Sequence, residues 1–162
     1  MGFAADIKKF AQKCGDNADQ VVRKTVLDIG SSLIEKTPVG NPDLWQNWEK
    51  GGVGANSDHW LVSTGFVAQG YTGGHARANW SHSIGSRVIH ELQAIDKTGR
   101  VSLERISASV PMKAAGLVHY IQNSVPYIQR LEDGYSKQAP AGMVGLTKVE
   151  FQDYIRKALA EL

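Results

Sequence analysis

The chain has 162 residues, a length suited to one compact domain or to one domain carrying a long excursion. Its 18 Lys and Arg against 16 Asp and Glu leave a formal charge of +2, with 42% apolar and 21% charged residues. That balance excludes a disordered polyampholyte, a membrane span and a nucleic-acid binder driven by bulk charge. The single cysteine, Cys14, excludes an internal disulfide and favours a reducing compartment. Glycine, at 17 residues, is over-represented against an average of roughly 7%.

The opening segment, MGFAADIKKFAQKC, holds no apolar run long enough for a signal peptide, because Asp6, Lys8 and Lys9 interrupt it. Asp6 also stands where an N-myristoylation signal wants Ser or Thr. The protein is therefore expected to be made in the cytosol, where the sequon Asn79-Trp80-Ser81 has no use.

Residues 4 to 36 read as helix, with apolar positions at Ile7, Phe10, Cys14, Ala18, Val21, Val22, Val26, Ile29, Leu33 and Ile34. Gly15-Asp16 is a candidate break, since Asp16 can cap a fresh helix. Thr37-Pro38 ends the segment, because proline disfavours helical geometry in the residue before it.

Residues 37 to 76 are a different material. They hold eight of the 17 glycines, the tryptophans Trp45, Trp48 and Trp60, and only four charged residues. No period persists, and loops this long are usually functional or mobile. The three rings suit either a partner surface or a satellite core, and the pattern leaves both open.

Strand patterns follow. Ala78, Trp80, His82 and Ile84 alternate with polar residues, and Val88 to Leu92 reads as a return strand after Gly85-Ser86. Residues 98 to 110 fit helix or strand equally. Leu117 to Gln122 reads as a strand stopped by Asn123-Ser124. A short helix follows from Pro126 to Asp133, with Gly134 as its left-handed end. A last helix from about Thr147 to Leu162 places Phe151, Tyr154, Ile155, Ala158, Leu159 and Leu162 on one face. This order predicts an α+β fold in one domain spanning 1–162. A long N-terminal helix and C-terminal helices pack on a small antiparallel β-sheet, with a long irregular loop insertion at about 37–76.

Chemistry is sparse. The histidines His59, His75, His82, His90 and His119 show no metal-ligand spacing, and His82 and His119 suit hydrogen-bonded strand positions better. Cys14 lies on the apolar helix face, where it behaves as a small hydrophobe. Gly51-Gly52-Val53-Gly54 lacks the flanking strand, helix and Lys-Ser/Thr of a phosphate loop. Glu132 and Asp133 are adjacent rather than spaced as an acid/base pair. No catalytic, cofactor or metal residue is expected, and the protein reads as a non-enzyme. From His82 onward ten bases face eight acids, too small an excess for salt-sensitive DNA binding.

Two stretches are more specific. One runs Thr37-Pro38-Val39-Gly40-Asn41-Pro42-Asp43-Leu44-Trp45 and resumes at Gly70-Tyr71-Thr72-Gly73-Gly74-His75-Ala76-Arg77-Ala78-Asn79-Trp80. The other is continuous from Tyr120 to Val144 and contains Asn123, Pro126, Tyr127, Leu131, Glu132, Gly134, Ser136, Gln138, Ala139, Pro140, Gly142 and Met143. Together they resemble the neck, or tail-completion, family of long-tailed bacteriophages. Its members share a long first helix, a T/S-P-V … G-G-R-x-R-A-N-W element and an N-x-x-P-Y-x-x-x-L-E-x-G-x-S-x-Q-A-P-x-G-M element. The chain departs from that pattern at His75, where the family usually has arginine, and in a longer loop between Trp45 and Gly70.

The resemblance implies a virion protein, made in the host bacterial cytoplasm, that forms a homo-oligomeric ring at the head–tail junction, with six copies expected and twelve as the alternative. Its partners would be itself and the adjacent neck, connector and tail proteins, with DNA passing through the lumen without specific binding. No membrane and no cofactor are implied. Candidate interface residues are Trp45, Trp48, Trp60, Arg77, Asn79, Trp80, Tyr127, Glu132, Ser136, Lys137, Gln138, Pro140 and Met143. Two rivals stand beside this reading: a tail-terminator ring capping the tail tube, and a cytosolic ligand-binding module or small enzyme. The residues themselves also build a corner. Tyr127 and Leu131 lie one helical turn apart, and residues 136–140 form a polar, extended arm.

Overall fold

The computed structural model describes residues 3–40 and 73–162. The expected tryptophan-bearing loop, with Trp45, Trp48 and Trp60, lies outside the described residues.

Helix α1 runs Phe3–Lys36 without interruption, a length of about 50 Å. The break expected at Gly15-Asp16 does not form. A glycine inside a helix costs only about 1 kcal/mol, and the strong helix formers Gln12 and Lys13 precede it. The apolar stripe is not buried along its whole length. Val26, Leu33 and Ile34 lie in the core, whereas Ile7 and Phe10 are 51% and 67% exposed. Beyond Lys36 the chain leaves the helix at Thr37, whose hydroxyl donates back to the Leu33 carbonyl at 2.6 Å.

After residue 73 the chain enters the four-residue helix α2, His75–Ala78, through Gly74 at φ 92°. Strand β1, Trp80–Ile84, follows. Its partner is β2, His119–Asn123, antiparallel, with Trp80 opposite Asn123 and Ile84 opposite His119. The return strand expected at Val88–Leu92 is not formed. Instead the Asn79 side chain grips Leu92 on both sides, accepting from its N–H at 2.7 Å and donating to its carbonyl at 3.1 Å. One amide thereby imitates a single rung of a ladder, and Val88 and Ile89 remain exposed.

Residues 98 to 110 resolve as helix α3, Arg100–Ser109. The deciding group is Asp96. Its carboxylate accepts from the N–H groups of Gly99 and Ser102 at 2.8 Å each, and from the Ser102 hydroxyl at 2.9 Å. Those are orphan donors of a helix start, so capping favours the helix over the strand. Ile106 then lies fully buried against α1 at Gly30, where an added Cβ would come within 3.3 Å of the Ile106 side chain.

Helix α4, Ile128–Glu132, and helix α5, Val144–Ala160, complete the chain. Helix α5 runs antiparallel along α1. Its start meets Ser32 through a 2.9 Å hydroxyl pair with Thr147, and its end meets Lys24 through a 3.0 Å ion pair with Glu161. The face expected to pack is only partly the one that does. Thr147 and Ala158 are buried, but Phe151, Leu159 and Leu162 are 38%, 52% and 53% exposed. Small residues at the contact let two helices approach closely, and this moves the larger ones off the seam.

The result is an α+β fold, with long N- and C-terminal helices on a two-stranded antiparallel sheet. Its core joins Val26, Leu33 and Ile34 of α1 to Trp80, Ile106, Val110, Ala114, Ala139 and Met143. No helix among the described residues is long and apolar enough to cross a membrane.

Candidate subunit and partner interface

The first recognisable stretch comes together at the C-terminal end of α1. A helix leaves its last carbonyls without intrahelical partners, and these attract cationic donors. Arg77 supplies them. Its guanidinium donates to the Thr37 carbonyl at 2.7 and 3.2 Å, to Glu35 at 3.3 Å and to Lys97 at 2.6 Å. Burial pulls this guanidinium below its ordinary pKa, with Asp96 and Glu35 opposing. The indole N–H of Trp80 donates to the Thr37 hydroxyl at 2.6 Å, so Thr37 relays between α1 and β1. Asn79 is 2% exposed and Trp80 3%, and Asn79 also donates to His75 at 2.9 Å. The side chains of Asn79 and Trp80 are thus committed to the interior, and Arg77 to the α1 terminus, rather than aimed at a partner.

The second stretch closes a corner between α4 and α5. Glu132 is its centre. One carboxylate oxygen accepts from the N–H groups of Met143 and Val144 and the other from Gly145, all at 2.8 Å. The carboxylate therefore caps α5 from a residue eleven positions upstream and meets the positive end of its dipole. Gly142, at φ 74°, packs so tightly that a Cβ would collide with the Glu132 carbonyl. Gly134, at φ 79°, stands in the same relation to the Pro140 carbonyl. Met143 is fully buried. Glu132, Gly134, Pro140, Gly142 and Met143 thus share one local task, turning the chain from α4 into α5. Tyr127 is half-buried at the entry to α4.

The polar arm is at the surface but is not extended as expected: residues 136–140 turn, with the Ala139 N–H donating to the Ser136 carbonyl at 2.9 Å. Lys137, Gln138 and Pro140 are exposed, Ser136 is half-buried, and the Ser136 hydroxyl accepts from the Gln138 N–H at 3.2 Å. The Gln138 amide pairs with the backbone of Val39, donating to its carbonyl at 3.0 Å and accepting from its N–H at 3.4 Å. The arm thereby holds the chain just beyond the end of α1. Exposed Tyr135 and Val144 flank the arm, with the Arg130 guanidinium 4.5 Å from the Tyr135 ring centre. Of the ten candidates among the described residues, Lys137, Gln138 and Pro140 are the exposed ones.

Two groups carry more than the sequence reading assigned them. Asp96 caps α3, and the spacing Asp96-x-Thr98-Gly99 with Ser102 beyond is the pattern that marks it. His82 hydrogen-bonds Ser109 at 2.8 Å and His119 at 2.9 Å, and His119 reaches the Ala114 carbonyl at 2.9 Å. Desolvation, then the neighbouring His119, pull His82 below the usual histidine value. This pair ties β1, β2 and α3 together. Among the described residues no cluster of three metal-ligating side chains occurs.

A groove of about 560 Å³ runs beside α1, lined by Asp16, Asp19, Gln20, Arg23, Lys24, Leu27, Asp28, Met112 and Lys113. Half of its charges are matched within it, Lys113 meeting Asp16 at 2.6 Å and Asp19 at 3.1 Å, while Arg23 donates to the Val110 carbonyl at 3.3 Å and Lys24 pairs with Glu161 at 3.0 Å. Mutually paired charges offer a ligand little that solvent does not. Comparison with protein-family models, curated proteins and solved structures found no match.

Proposed function

We propose that this chain is a non-enzymatic virion protein of a long-tailed bacteriophage, a neck or tail-completion subunit that forms a ring joining head to tail. The observation that supports it most is the continuous stretch from Tyr120 to Val144. Its resemblance to the family element is long, and its glycines and glutamate have a joint physical purpose. They hold a rigid corner that presents Lys137, Gln138 and Pro140 outward. A ring subunit needs such a surface feature on a rigid support, because interfaces form with least entropic cost between preorganised elements. The near-neutral charge suits a lumen that lets DNA pass without gripping phosphates. In this reading the arm meets a neighbouring subunit, and the tryptophan-bearing segment docks on an adjacent ring.

Electron microscopy or native mass spectrometry of the purified protein, alone and with a neighbouring neck protein, tests the reading. Rings of six copies are expected in at least one condition, and a strict monomer in both refutes ring assembly. Deleting the gene from a prophage should leave filled heads and tails that fail to join. Normal infectivity would remove the head–tail role, and overlong tail tubes would favour a terminator.

A further inference from the structure

The first third of α1 is exposed to solvent. Every residue from Ala4 to Asp16 is exposed, although the helix continues unbroken into the core at Val26. The thirteen residues from 4 to 16 form an arm about 20 Å long. Its sequence is not that of a solvated helix. Ile7, Phe10 and Cys14 follow one another in steps of three and four, the spacing of an apolar seam that a second helix can cover. Phe10, at 67% exposure, is among the most exposed large apolar residues described.

The flanks of the seam indicate what covers it. One flank carries Ala4, Ala11 and Ala18 at seven-residue spacing, and the other carries Asp6, Lys13 and Gln20. In a parallel pair each flank faces the opposite flank of its partner, so Asp6 and Lys13 would meet alanines. In an antiparallel pair like flanks face each other. With Ile7 packed against Phe10 of the other copy, Asp6 falls opposite Lys13 and Lys13 opposite Asp6, while alanine meets alanine. The arm is thus self-complementary in charge and size in one orientation only. We propose that the arm pairs antiparallel with the same arm of a second copy of this chain. Because α1 is already nucleated in the folded body, the short arm avoids the initiation cost that leaves isolated helices of this length marginal.

The contact is isologous and closes at two, so it is distinct from a head-to-tail ring interface and does not rest on the ring reading. It links two subunits, or two rings, face to face.

Sedimentation velocity over a concentration series, on the full chain, tests the pairing. The wild-type protein should dimerise reversibly. Asp6→Lys alone and Lys13→Asp alone should each weaken association about tenfold, since each replaces two attractive pairs with two repulsive ones. Mixing the two variants should restore association, because the mixed pair sets lysines against aspartates at both contacts. Phe10→Asp should give monomer with its helical circular dichroism retained. Mild oxidation should leave Cys14 unlinked, because the antiparallel register separates the two Cys14 residues by about 16 Å along the axis. A monomer at all concentrations, association indifferent to the charge reversals, or a rapid Cys14–Cys14 disulfide marking a parallel pair would each overturn the proposal.

Discussion

Replacing Glu132 with alanine removes an acceptor shared by three backbone donors at the start of α5. An ordinary N-cap is worth about 1 kcal/mol, and hydrogen bonds to a charged group contribute about 1.5–3 kcal/mol each. The three bonds do not add in full. Val144 and Gly145 are exposed, so water takes over their donors once the carboxylate is gone. Met143 is fully buried, so its N–H is the donor least readily rehydrated. A net loss of about 2–3 kcal/mol follows, which for a chain of this size lowers Tm by about 4–12 °C. Glu132→Gln should fall between wild type and alanine. Its carbonyl oxygen can serve Met143 and Val144, but its NH₂ then faces the Gly145 N–H, donor against donor. Thermal and urea unfolding followed by circular dichroism give the order and the size. An alanine variant within 0.5 kcal/mol of wild type would refute the argument that Glu132 holds α5 in place.

Asn79→Ala should cost about 1–3 kcal/mol, because it removes a buried side chain and leaves the half-buried Leu92 N–H and carbonyl without their rung; urea denaturation checks it. Asp96 gives an acid-side signature. Burial pushes its carboxyl up, but hydrogen bonds from Ser102, Gly99 and Thr98 outweigh burial and hold it below the ordinary carboxylate value. A depressed folded-state pKa stabilises fully above the unfolded value, about 3.9, and that contribution disappears as pH falls through the folded value. Asp96→Asn should therefore lower stability at pH 7 and flatten the loss on acidification, as read from urea midpoints across pH. Lys137→Glu, on an exposed residue, should leave Tm within a degree or two of wild type while reducing ring yield by electron microscopy. Unchanged ring yield would remove the arm from the subunit contact.

Both long helices and the Trp80 and His119 strands were legible in the sequence, since each rests on a local period or on a stop such as Thr37-Pro38 or Asn123-Ser124. The short helix before Gly134 was legible too, because proline and glycine punctuate its ends. What failed were choices that depend on distant atoms. Val88 to Leu92 alternates like a strand, yet β1 takes its partner from residues 119–123, and Asn79 occupies the place a ladder would need. The α5 stripe of Phe151, Leu159 and Leu162 reads as a core face, yet α1 meets α5 where Thr147 and Ala158 allow close approach.

The interface candidates divide along the same line. The family resemblance marked Arg77, Asn79, Trp80, Glu132 and Met143 as special without revealing which way they face. The tertiary structure turns them inward: Arg77 onto the α1 carbonyls, Asn79 onto Leu92, Trp80 onto Thr37 and Glu132 onto the α5 amides. It leaves Lys137, Gln138 and Pro140 outside. Periodicity, capping and turn chemistry act over a few residues, so the sequence alone determines the elements and the positions where the backbone must turn. Strand partner, helix-contact face and the destination of each polar side chain are set by groups distant in the chain, and only folding brings those together.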